Sequence, residues 1–163
     1  KLPAKAVYQV DFPGSSQSSI TLARRAKGSH SSDYFPAMVF NWALGGAFGS
    51  RLNLNLREDK GYTYGAYSSI GNDKYGPSRF RASAEVRNMV TDSSVVEMLK
   101  ELELITSKPV TDEELKNTKA LYAGSFIMAL EDPETIARYA LNVEKENLPK
   151  DFYKTFLEKL ENK

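Results

Sequence analysis

Cysteine is absent from this chain of 163 residues, and histidine occurs once, at His30. The first absence removes disulfides, thiol nucleophiles and thiolate metal ligands together, and leaves the compartment open. The two absences exclude a catalytic zinc site built within the chain. Such sites draw on two or three histidines, with at most one or two carboxylates or thiols. No apolar run approaches the ~20 residues of a membrane-spanning helix. An excess of one charge is also missing: 22 Lys and Arg stand against 21 Asp and Glu, a net charge of +1. Without a block of like charge, nucleic acid and acidic membranes fit poorly as partners. Gly45, Gly46 and Gly49 do not form a phosphate loop, because no Gly-Lys-Ser/Thr comes after them and no strand precedes them. They read as punctuation between helices with close backbone packing. The chain opens at Lys1 with neither Met nor an apolar secretory segment, as a processed or excised piece would.

What is present is ordinary globular material, 41% hydrophobic and 26% charged, long enough for one domain with a real core. Val7–Phe12 alternates loosely and stops at Pro13-Gly14, a strand and then a turn. Ser18–Ala26 is a second strand with Ile20 and Leu22 on one face. Asp33 is placed to cap a helix carrying Pro36 in its first turn and running through Met38, Val39, Trp42 and Ala43 to Gly45-Gly46. Residues 47–59 carry two periods. Leu52, Leu54 and Leu56 alternate with Asn53 and Asn55 as in a strand, while Phe48, Leu52 and Leu56 recur at helical spacing. Asparagine is a poor strand former, so helix is expected, with Phe48, Leu52 and Leu56 inward and Leu54 outward. Tyr64–Ile70 and Phe80–Val86 read as antiparallel strands, the second with Phe80, Ala82, Ala84 and Val86 on one face. The remainder reads as helices: one with a stripe of Val95, Met98, Leu99, Leu102 and Ile105; one opened by a Thr111-x-x-Glu114 capping box; one opened by Asp132-Pro133; and one from Pro149 and Asp151 through Phe152, Phe156 and Leu160. Paired strands with helices after them imply an α+β fold, a largely antiparallel sheet with helices on one face.

Two residues stand out chemically. Arg57 supplies fixed, always-charged donors, and Tyr64, seven residues on, supplies a hydroxyl. Together they can hold a peptide carbonyl, or the oxyanion formed when it is attacked. A plainer alternative is a helix-end arginine beside a half-buried strand tyrosine. His30, in a Gly-Ser-His-Ser-Ser loop, reads as solvated. Glu58 and Asp59 read as helix-end surface charges beside Arg57 and Lys60, and Trp42 as core. Tyr62 and Tyr67 either line a groove with Tyr64 or simply pack.

The stretch LGGAFGSRLNLNLREDKGYTYG, Leu44–Gly65, resembles the signature of the C-terminal half of pitrilysin/insulinase-type zinc metallopeptidases. Gly45-Gly46, Phe48, Ser50-Arg51-Leu52, Leu56-Arg57-Glu58, Gly61 and Tyr64 fall where that family has them. Leu130-Glu-Asp-Pro133 and Leu148-Pro-Lys-Asp-Phe-Tyr153 resemble its later helical segments, and the opening VYQVDFPGSSQSSITLARRA its first strand pair. The family's His-x-x-Glu-His zinc sequence is nowhere in the chain. The resemblance implies half of a two-fold-repeated peptidase fold: residues 1–163 as a single domain, cut short of its last strand, and residues 47–59 helical. It also implies that Arg57 and Tyr64 bind substrate. Zinc and the general base would sit on a homologous partner half, in the same polypeptide or a separate subunit, so that this chain alone binds no metal and is inactive. Peptides are the implied substrate, without membrane insertion. Bacterial periplasm or cell envelope is the implied location, with an organelle matrix as the alternative. The rival implication is a non-catalytic assembly or interaction subunit of the same fold.

Overall fold

The computed structural model describes residues 6–27, 31–71 and 77–162. His30 lies outside them, as does the stretch Asn72-Asp73, through which the two antiparallel strands are expected to join. Three strands, β1 (Gln17–Ala26), β2 (Thr63–Ile70) and β3 (Ser78–Arg87), form an antiparallel sheet in the order β1-β3-β2. The register places Ile20 opposite Ala84 and Ala84 opposite Ala66, and pairs Ala82 with both Leu22 and Ser68. The inward rows are therefore rich in alanine, and small side chains let a helical layer approach closely. Leu44, Leu52, Leu56, Val86 and Met98 fill the space between the layers and are fully buried. The α+β architecture with helices over one sheet face is as the patterning implies.

The first helix, α1 (Tyr34–Asn41), continues as a π-helical turn, Trp42–Gly46. The next, α2 (Arg51–Asn53), continues as a second π-helical turn, Leu54–Asp59. A second core gathers Val39, Tyr122, Phe126, Phe156 and Leu160. It lies between α1, α4 (Asp112–Ala129) and α6 (Phe156–Glu161). Between these come α3 (Thr91–Ser107) and, after α4, α5 (Pro133–Lys145). Asp132 caps α5 by accepting from the Glu134 and Thr135 amides, with Pro133 in the first turn. The Thr111 hydroxyl accepts from the Glu114 amide at 3.2 Å.

Several expectations are corrected. Val7–Phe12 is not a strand: Val7, Tyr8, Val10 and Phe12 are more than four-fifths exposed, and the sheet has no fourth strand among the described residues. Alternation favours a strand only where a neighbouring strand satisfies its backbone. The turn after it does form, with the Ser15 amide donating to Phe12 O and Gly14 at φ 87°. Asp33 makes no side-chain cap, because its carboxylate is taken by Lys27 and Ser32. Residues 51–59 are helical as expected, but residues 47–50 are not, and Phe48 is exposed rather than in the core. Leu99 is half-exposed. On α3 the buried face runs through Ser94, Met98 and Ile105.

Candidate functional site

The region around Arg57 and Tyr64 is built by three local devices. The first is the π-helical turn Leu54–Asp59. One extra residue per turn rotates the subsequent residues relative to an α-helix, and such turns recur at functional sites. Leu56 anchors this turn in the core, fully buried, and Arg57 projects from it. The turn closes at Gly61, whose φ of 61° suits a residue without a side chain. The Gly61 amide donates to Arg57 O at 3.2 Å and the Tyr62 amide to Leu56 O at 2.8 Å, turning the chain into β2.

The second device is a β-bulge. Thr63 pairs with Val86 and Ala66 with Ala84, so Tyr64 and Gly65 together face Glu85 alone. Bulges re-aim side chains and are common beside active sites. Here the Thr63 hydroxyl accepts from the Gly65 amide at 3.1 Å and donates to Glu85 O at 2.6 Å, bracing the distortion. Tyr64 is left 90% exposed. Tyr67 lies across Gly65, where a Cβ would meet its ring at 2.6 Å.

The third device is aromatic and ionic restraint of the guanidinium. Arg57 lies over the Phe48 ring, 4.0 Å from its centroid, and its Nη1 donates to Glu58 Oε1 at 2.7 Å. The exposed position of Phe48 thus has a local role: it supplies a face for the cation. Arg57, Glu58, Tyr62, Tyr64 and Arg87 line one cavity of about 470 Å³. Arg87 Nη2 donates to Gly61 O at 3.2 Å.

The sequence puts Arg57 and Tyr64 at one locus, and the structure brings them to one cavity. Tyr62 lines it as well; Tyr67 does not. Thr63 and Arg87 also line it, and the sequence singles out neither. Gly65 within a strand is the available signal for the bulge; nothing in the spacing points to Arg87. The cavity offers guanidinium and phenol donors to an oxygen acceptor. Glu58 and Asp59 show no acid–base arrangement, since the Glu58 carboxylate is engaged by Arg57. The donor set does not fit zinc: among the described residues no group of three His, Cys, Asp or Glu could hold a metal.

The glycine pair nearby is a packing device. A Cβ on Gly45 would stand 2.5 Å from the Ser68 amide nitrogen. Asn41 Nδ2 donates to Ser68 O at 3.2 Å, and Ser68 Oγ donates to Asn41 Oδ1 at 2.8 Å. The first π-helical turn is thereby packed closely against β2.

Residues 1–122 match the family model described as the peptidase M16 inactive domain. Among solved structures, the chain is similar to the peptidase M16 inactive domain from Pseudomonas fluorescens, with 25% identity and a TM-score of 0.81 over 91% of this chain and 35% of that one. A protease from Helicobacter pylori is 21% identical with a TM-score of 0.77, over 91% and 37% respectively. The periplasmic protease PqqL from Escherichia coli shares the fold at 12% identity and a TM-score of 0.71, over 92% of this chain and 17% of that one. The chain thus spans a little over a third of the first two and less of the third. A comparison with curated proteins gives no match. The family model covers most of the chain and the fold agrees over about nine-tenths of it, so this chain belongs to the peptidase M16 inactive-domain family, the pitrilysin-type half without zinc ligands.

Proposed function

We propose that the chain is the substrate-binding half of a zinc-dependent endopeptidase. Arg57 and Tyr64 receive the scissile carbonyl of a peptide and donate to the oxyanion that develops on it. A zinc-bearing homologous half, fused or separate, would hold the metal, which would supply the activated water. This half contributes binding and charge stabilisation. The observation that carries the reading is the braced bulge at Tyr64–Gly65, which exposes Tyr64 at the cavity that Arg57 lines. A merely packed tyrosine needs no such device. Arg87, fixed by Gly61 O, adds positive charge to the same cavity. We assign the parent protein to the periplasm or cell envelope, by analogy with the periplasmic protease PqqL.

The test is reconstitution. The chain is combined with the zinc-bearing half of its parent protein and assayed on unstructured fluorogenic peptides. Cleavage should require both halves and be abolished by chelation. Association of the halves without cleavage would favour a non-catalytic assembly subunit.

A further inference from the structure

A second cavity, of about 370 Å³, lies among α1, α4, α5 and the segment leading into α6. It shares no lining residue with the Arg57 cavity. Two aromatic pairs wall it. Trp42 and Tyr122 stack at 4.4 Å between centroids, and Tyr139 and Tyr153 stack at 4.0 Å with planes 6° apart. Trp42, Tyr139 and Tyr153 are only partly buried, so the cavity reaches solvent.

One charged residue, Glu146, lines this cavity, and it is 1% exposed. Its position is set by the end of α5. Asn147 takes the left-handed conformation at φ 49°, the Leu148 amide donates to Val143 O at 2.9 Å, and the Asn147 amide donates to Glu144 O. This Schellman closure leaves Glu146 as the last residue before the reversal, directed inward. Lys145 Nζ stands 3.3 Å from Glu146 Oε1, whereas Glu146 Oε2 has no hydrogen-bond partner. A buried carboxylate oxygen without a partner is costly. The carboxyl-terminal end of α5 adds negative partial charge at the same place. Tyr34, another lining residue, is raised above the ordinary tyrosine range by burial first, then by Tyr153 and Glu146.

Aromatic rings lining a cavity with a buried, half-satisfied carboxylate form a receptor for positive charge on an apolar group. We propose that this cavity binds an organic cation, a guanidinium or alkylammonium head group, with Glu146 Oε2 as its counter-ion and the Trp42–Tyr122 and Tyr139–Tyr153 pairs as its walls. Free alkylammonium compounds and basic peptide side chains share this chemistry.

Trp42 is the single tryptophan of the chain and lines the cavity, so its fluorescence reports occupancy. The protein is titrated with tetramethylammonium and with N-acetyl-arginine methylamide, against their neutral counterparts tert-butanol and N-acetyl-citrulline methylamide at matched ionic strength. Both cations should give saturable changes, each at least about tenfold tighter than its neutral counterpart. Tighter binding of the arginine amide assigns the cavity to a peptide side chain; tighter binding of tetramethylammonium assigns it to a free alkylammonium. Glu146→Gln, checked for an unchanged circular dichroism spectrum, should remove the preference for charge. Absence of saturation, equal response to the neutral compounds, or a folded Glu146→Gln that keeps the preference would each overturn the proposal. The comparison on the unaltered protein decides even if the variant does not fold.

Discussion

Asn53 shows what one residue does for this fold. It is fully buried. Its Oδ1 accepts from the Ala66 amide of β2 at 2.9 Å, and its Nδ2 donates to Ala47 O at 3.2 Å. The side chain thereby ties the loop before α2 to the strand that carries Tyr64. Asn53→Leu should strand a buried amide and a part-buried carbonyl, costing about 2 kcal/mol in urea unfolding; a loss under about 0.5 kcal/mol would show the bonds to be dispensable. The same residue marks where apolar periodicity loses its reach. Leu52 and Leu56 are legible as core from their spacing. Asn53 stands in the same run as a polar residue, and no pattern of apolar positions announces a buried amide that satisfies backbone. Thr63 belongs to the same class. Its hydroxyl replaces a ladder bond at the bulge, so Thr63→Val should lower peptide cleavage by the assembled enzyme through Tyr64 while Arg57 still binds. The check is whether Tyr64→Phe becomes nearly silent in the Thr63→Val background; an undiminished effect would separate the two residues.

At the scale of elements, small residues set the contact between helix and sheet, and an ion pair joins two helices. Gly45→Ala would drive a methyl into the Ser68 backbone nitrogen. That neighbour is ladder backbone and cannot swing aside, so overpacking of about 1–3 kcal/mol is expected by denaturant titration. Unchanged stability would mean the π-helical turn shifts freely over β2. Arg51 and Glu114 join α2 to α4 through two bonds, Nε to Oε1 at 2.6 Å and Nη2 to Oε2 at 2.7 Å. The Arg51 hydrogen bond, foremost, holds the Glu114 carboxyl below the usual glutamate range. A lowered folded value stabilises above the unfolded value, and that contribution disappears as pH falls through the folded one. Thermal melts across the acid range should therefore show a stability difference between wild type and Glu114→Gln at neutral pH that shrinks on acidification. A difference independent of pH would assign the effect to packing. The capping box is readable as a helix start from Thr111 and Glu114 alone. The partner of the Glu114 carboxylate is not, because 63 residues separate it from Arg51.

Across the whole molecule, the sequence shows its strand and helix order well except where an element depends on something beside it. Val7–Phe12 has the alternation of a strand and lies exposed, since a strand is a property of a pair. Phe48 has the spacing of a core residue and serves as the platform for Arg57. The site obeys the same rule. The signature puts Arg57 and Tyr64 at one locus and Gly65 hints at the bulge, while the place of Arg87 emerges only from strand pairing. We propose that this locus binds substrate for a metal carried on the homologous half. Its most direct test is kcat/KM for peptide hydrolysis by the assembled enzyme, measured for wild type and Arg57→Ala alongside the unfolding free energy of each. Loss of a donor to the oxyanion should lower kcat/KM by about 10²-fold or more. Stability should change by no more than about 1 kcal/mol, the scale of an exposed contact between a cation and a ring. Hydrolysis at the wild-type rate, or a variant that no longer folds, would contradict the account.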